Sequence, residues 1–219
     1  MAIQEIFSVP IYKIKLDLDV KKLRSFCDNY RRGNLSWRKD REDKCKLVTV
    51  KSNRGGYHSN NLSLDEVILQ PLIEEVETHS SKFANTFINQ NKQVIDGMWF
   101  NVNLYKDSNA SHRHSGADIS GVYYIKTPND CGNLVFENPA IDLFDYYFLS
   151  HPKELNHYSA SRCEMLAEVN MLYLFPSWLK HLVEPNKNKM QERLSIAFNT
   201  NQLEFQKVKN IFKSVTGGT

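Results

Sequence analysis

The chain has 219 residues, 41% of them hydrophobic and 24% charged, with a formal net charge of +3. That length suits one well-cored domain, and the small net charge makes no demand for a nucleic-acid or membrane partner. Cys27, Cys45, Cys131 and Cys163 stand far apart without a C-x-x-C pair. This argues against a cysteine zinc site and for reduced thiols in a cytoplasmic setting.

Met1-Ala2-Ile3-Gln4-Glu5 lacks the basic and apolar runs of a secretory signal. Residues 6–16 alternate weakly and read as an edge strand, because Pro10 lies within it. Leu23, Phe26, Cys27 and Tyr30 keep the spacing of a short amphipathic helix. Residues 31–54 hold nine Lys/Arg against three Asp/Glu and read as a polar loop, or as a rim for an anionic substrate. Ser63-Leu64-Asp65-Glu66 has the form of a capping box, and apolar residues from Ile68 to Phe87 continue a helical stripe. A helix, or two helices broken near Pro71, is expected over about 63–90.

From Val94 the period changes to two. Met98, Phe100, Val102 and Leu104 alternate with Trp99, Asn101, Asn103 and Tyr105, so Asn101 and Asn103 face either a pocket or solvent. Short strands are expected at about 119–126, 132–137, 163–168, 171–176, 179–184 and 193–200, separated by Pro/Asn/Asp turns. The apolar run Met171 to Leu179 is broken by Pro176 and Ser177 and is too short to span a bilayer. Residues 140–160 form an insertion without clear period. Leu203, Val208, Ile211, Phe212 and Val215 predict a last helix over about 203–215. The organisation expected is a single domain, 1–219, with a barrel core at about 94–200 and helical support at about 20–90. Its fold class is mainly β with flanking helices, a jelly-roll or cupin-like barrel.

Two islands carry the chemistry. His112 and His114 stand at i and i+2, which on an extended segment puts both on one side, roughly 6.5–7 Å apart. His181 follows another strand signal, and Arg193 and Ser195 share one face of the last strand. Two histidines from one segment and a third from elsewhere suit a mononuclear metal site, and imidazole serves iron, zinc and copper alike. An inward guanidinium beside such a site needs an anion, and a bidentate carboxylate supplies one. His58, His79, His151 and His157 lack comparable partners and are left without a role.

These blocks resemble the iron- and 2-oxoglutarate-dependent oxygenases of the double-stranded β-helix superfamily, in particular a small group from bacteria and their viruses. The resemblance runs from Ser52-Asn53-Arg54-Gly55-Gly56-Tyr57-His58-Ser59 through Trp99-Phe100-Asn101-Val102-Asn103, His112-Arg113-His114 and Ser120-Gly121-Val122-Tyr123-Tyr124. It closes with Phe175-Pro176-Ser177-Trp178-Leu179-Lys180-His181 and Arg193-Leu194-Ser195-Ile196-Ala197-Phe198-Asn199. The resemblance implies Fe(II) on His112 and His181, and 2-oxoglutarate (2OG) on Arg193 and Ser195. Tyr123 and Asn103 complete the co-substrate set, with ascorbate as an accessory reductant. His114 stands where most of the superfamily has Asp or Glu. Three readings follow: His114 ligates, water takes the place, or Asp118 folds back through Ser115-Gly116. The first needs no special geometry and is preferred. Asn170 replaces a usual Gly, and Asn also tolerates a left-handed backbone. The expected activity is a 2OG- and Fe(II)-dependent dioxygenase using O2, a hydroxylase of unspecified substrate. Its rivals are a cupin-like three-histidine iron dioxygenase without 2OG and a catalytically silent jelly-roll binding module.

Overall fold

The computed structural model describes residues 8–33, 52–87, 92–140, 156 and 159–206. Strand β1 (Tyr12–Lys15) and helix α1 (Val20–Gly33) lead into two short strands, β2 (Asn53–Arg54) and β3 (Tyr57–His58). Helix α2 (Gln70–Ala84) precedes the long strand β4 (Gln93–Asn103). Then come β5 (Ser108–His112), β6 (Ile119–Lys126), β7 (Leu134–Glu137), β8 (Arg162–Met165), β9 (Met171–Pro176), β10 (His181–Val183) and β11 (Arg193–Gln202).

The strands form two antiparallel sheets. One has the order β1-β9-β6-β11-β4-β3, the other β2-β5-β10-β7-β8. From β4 to β11 the chain crosses between sheets at every step except β7 to β8, which gives the double-stranded β-helix. Strand β1 is an edge, as its proline-bearing lead-in requires.

The alternation of β4 and β11 explains the layering. Phe100, Val102, Ile196 and Phe198 face a core shared with Leu23 and Cys27 of α1 and with Leu72, Val76 and Phe83 of α2. Each such side chain contributes roughly 1.5–3 kcal/mol relative to exposure. A second cluster, including Tyr124, Leu134, Phe136, Tyr173 and Phe175, draws on both sheets. The opposite faces of β4 and β11 are left to line a cavity.

The capping box at Ser63 does not start a helix. The Ser63 hydroxyl accepts from the Asp65 amide at 3.3 Å, and a single 3-10 turn (Val67–Leu69) intervenes. Helix α2 begins at Gln70 with Pro71 in its first turn, where a missing N–H costs nothing. The cap signal and the proline signal compete, and the proline sets the boundary. Asn170 is left-handed at φ 67°, as its place in the turn before β9 requires. Most of the basic 31–54 loop, the 140–160 insertion and the 203–215 helix lie outside the described residues. Among the described residues, no helix is long and apolar enough to cross a membrane.

Candidate metal and co-substrate site

Pairing of β5 with β10 sets His112 directly opposite His181. Strand β5 ends at His112, and His114 is held just beyond it by its amide donating to Ser177 O at 2.9 Å. The three histidines converge: candidate ligand nitrogens of His112, His114 and His181 all lie within 4.8 Å of one another. Asp118 does not join them. Its carboxylate accepts from Gln93 Nε2 at 3.2 Å and from the Gln202 amide at 3.1 Å.

The chemistry of this donor set suits a metal. His112 Nδ1 donates to Ala110 O at 2.8 Å, and His181 Nδ1 to Leu179 O at 2.9 Å. A carbonyl only accepts, so the proton sits on Nδ1 and the other ring nitrogen keeps its lone pair. Burial holds all three rings neutral: it lowers His112 and, with the repulsion that a protonated His112 would add, takes His114 to about 4 and His181 to about 3. His114 has Asn199 as its side-chain partner. Asn199 Oδ1 in turn accepts from the Ser120 hydroxyl, which bonds Ser177 Oγ, both at 2.8 Å.

Behind the histidines lies a cavity of about 240 Å³. Arg193 is buried in it at 1% exposure. Its Nη1 donates to Cys131 O at 2.8 Å and Gly132 O at 2.9 Å, with a longer contact to Glu184 O at 3.5 Å. Its Nη2 is buried with no partner. Across β4–β11, Asn103 pairs with Arg193 and its Nδ2 is likewise unpartnered. A buried charge without a counter-ion in contact is costly, so two orphaned donors on residues paired across β4–β11 describe a seat for a carboxylate. Glu184 and Asp107 act on Arg193 electrostatically, but no carboxylate of the described residues reaches it as an ion pair. The seat and the three neutral imidazoles fit 2OG and a divalent metal.

The site brings together His112, His114, His181, Arg193, Ser195 and Asn103, all of which line the cavity. Tyr123 does not join them. It faces the helix-covered core and its hydroxyl donates to Asn170 Oδ1. The neighbouring Tyr124 lines the cavity instead. Both faces of β6 are buried, so alternation separated the two tyrosines without saying which faced the site. Asn101 and Asn103 take the pocket reading rather than the solvent one, at 8% and 1% exposure. His58, left without a role from sequence, also lines the cavity and stacks on Trp99 at 5.6 Å. Its signal was weak because β3 is only two residues long.

Residues 97–199 match the family model described as "Putative 2OG-Fe(II) oxygenase". This stretch, just under half of the chain, is similar to a 2OG-Fe(II) oxygenase domain. No curated protein sequence matches it. Solved structures do at the level of fold. A prolyl-4-hydroxylase of Pseudomonas putida is 13% identical with a TM-score of 0.55, over 89% of this chain and 94% of that one. A prolyl hydroxylase of Trichoplax adhaerens, bound to a hypoxia-inducible-factor peptide, is 16% identical with a TM-score of 0.56, over 90% and 86%. SnoN, an epimerase of nogalamycin biosynthesis complexed with Fe3+, α-ketoglutarate and nogalamycin RO, is 11% identical with a TM-score of 0.56, over 89% and 79%. The fold is common to these structures, and the donor set seen here suits the iron and α-ketoglutarate that the SnoN complex holds.

Proposed function

We propose that this 2OG-Fe(II) oxygenase is a hydroxylase whose iron is held by three histidines, His112, His114 and His181. Arg193 and Asn103 grip the distal carboxylate of 2OG, with Ser195 and Tyr124 as flanking hydroxyls. The observation that carries this reading is the unpartnered Arg193 Nη2, buried in the same cavity as the histidine cluster. When bound, iron and 2OG supply the oxidative chemistry, in which decarboxylation of 2OG is coupled to oxygenation of a substrate C–H bond.

The protein's own contribution is positioning. The main-chain carbonyls of Ala110 and Leu179 orient His112 and His181, and Asn199 orients His114. Those of Cys131 and Gly132 fix the guanidinium so that its second nitrogen faces inward. Apolar walls, among them Val122, Leu134 and Phe175, exclude water and strengthen these charge interactions. The free, buried thiols of Cys27 and Cys131 support a reducing, cytoplasmic setting.

The test is anaerobic titration of Fe(II)-loaded protein with 2OG, read in the visible metal-to-ligand charge-transfer band. Wild type should give the band, and Arg193→Ala should need far more 2OG to reach it. Iron binding without any band would overturn the 2OG assignment and favour a three-histidine dioxygenase that dispenses with the co-substrate.

A further inference from the structure

The cavity's unpaired polar atoms are of two kinds, and they are separated along β4. At the Arg193 end the orphans are donors, Arg193 Nη2 and Asn103 Nδ2. Two residues along the same inward face, opposite Ser195, lies Asn101, 8% exposed, whose Oδ1 is a buried acceptor without a partner. The 2OG dianion has only acceptors, so it satisfies the donors and can do nothing for Asn101. The protons on His112 Nδ1 and His181 Nδ1 are already committed to main-chain carbonyls. With its amide oriented so that Oδ1 is the buried atom, Asn101 stays unpaired after metal and co-substrate are seated.

The next inward residue along β4 is Trp99, half-buried and near-parallel to His114, with ring centroids 5.9 Å apart at 19°. Ala197 lies opposite Trp99 on β11 and also lines the cavity. Asn101 is thus a single acceptor beside an apolar wall that leads to the third histidine. At about 240 Å³, below the usual range for a drug-sized ligand, the cavity admits only one small group of a substrate beside the co-substrate.

We propose that Asn101 and Trp99 form the primary-substrate subsite, and that it selects an apolar, ring-sized group bearing one N–H or O–H donor. The donor bonds Asn101 Oδ1 and the ring lies along the indole. A substrate without the donor leaves a buried acceptor unsatisfied, which is what makes the subsite selective. This inference rests on the oxygenase reading above.

The experiment uses anaerobic protein saturated with Fe(II) and 2OG, and two probes of the same shape, indole and benzofuran, which differ in the donor. Binding is read as a shift of the visible charge-transfer band. In wild type, indole should bind at least roughly fivefold tighter than benzofuran, the value of one buried hydrogen bond. Asn101→Leu should bring the two Kd values within twofold while its 2OG titration stays that of wild type, which also reports that the variant is folded. Asn103→Leu should do the reverse, weakening 2OG but keeping the preference for indole at saturating 2OG. Equal affinities in wild type, no shift with either probe, or a preference that survives in Asn101→Leu would overturn the subsite and leave the oxygenase reading standing. Absence of the 2OG band itself would remove both.

Discussion

Gly132 offers the sharpest test of how the co-substrate clamp is built. It adopts φ +80°, and a Cβ there would lie 2.4 Å from Glu184 O, 2.9 Å from Glu184 C and 2.9 Å from Pro185 O. All three are backbone atoms, so no side chain can swing aside. Reaching ordinary contact at 3.4 Å requires a displacement of 1.0 Å (3.4 − 2.4) between the two loops. Those loops supply the carbonyls of Gly132 and Glu184 that face Arg193 Nη1. Gly132→Ala therefore carries a left-handed penalty of about 1–2 kcal/mol and a main-chain clash that adds roughly as much again. Gly116 is the control: it has φ +77° but nothing within 4 Å of its added Cβ, so Gly116→Ala carries the left-handed penalty alone. In calorimetry, Gly132→Ala should lower Tm by about 5–15 °C and Gly116→Ala by about half that or less. In titration, Gly132→Ala should weaken 2OG about tenfold or more with metal affinity unchanged, since a misplaced guanidinium loses a charge-assisted bond of roughly 1.5–3 kcal/mol. Equal effects of the two substitutions on Tm and on 2OG would refute the argument that the carbonyl cradle positions Arg193.

His114→Ala should weaken Fe(II) or Zn(II) binding by about tenfold or more, measured by competition with a chelating dye, while Asp118→Asn should leave it unchanged. Loss of metal in Asp118→Asn with retention in His114→Ala would move the third ligand to the aspartate. Metal-free protein should lose stability on acidification. Burial lowers His114 to about 4 and His181 to about 3 from an ordinary 6.5, so their contribution is present above pH 6.5 and is lost as pH falls toward those values. Denaturant midpoints of wild type and His181→Gln between pH 7 and 4 should show a steeper decline for wild type. A parallel decline would contradict the assignment. Burial pushes the Cys27 thiol up to about 12, whereas Cys163 is exposed. Iodoacetamide at pH 8 should therefore modify Cys163 at once and Cys27 only after unfolding, as mass spectrometry of peptides would show.

The sequence was most legible where one periodicity acted alone. The strand expected at 119–126 is β6 to the residue, and that at 171–176 is β9, because continuous apolar runs between turn signals leave little freedom. Strand β7 starts two residues later than expected because left-handed Gly132 holds the preceding turn open. The face of β11 carrying Arg193 and Ser195 followed from alternation, since Leu194, Ile196 and Phe198 had to face the core. Tyr123 and Tyr124 show the limit. A strand buried on both sides gives no polarity contrast by which to choose the face that meets the cavity. His58 shows another, for a two-residue strand has no period, and its place beside Asn101 comes only from pairing with β4. The helix start at Ser63 failed because a local cap pattern says nothing of the proline that follows.

The bonds from His112 and His181 to carbonyls two residues upstream have a consequence for how this site tolerates sequence change. Both acceptors belong to the main chain, and every replacement at Ala110 or Leu179 brings the same carbonyl. No point mutation outside the two histidines can delete either acceptor. The third histidine has no such insurance, because the group that orients it is the amide of Asn199, which a single codon change can remove. Drift in this lineage should therefore reach His114 and Asn199 together, and leave the other pair standing long after the third ligand has been exchanged.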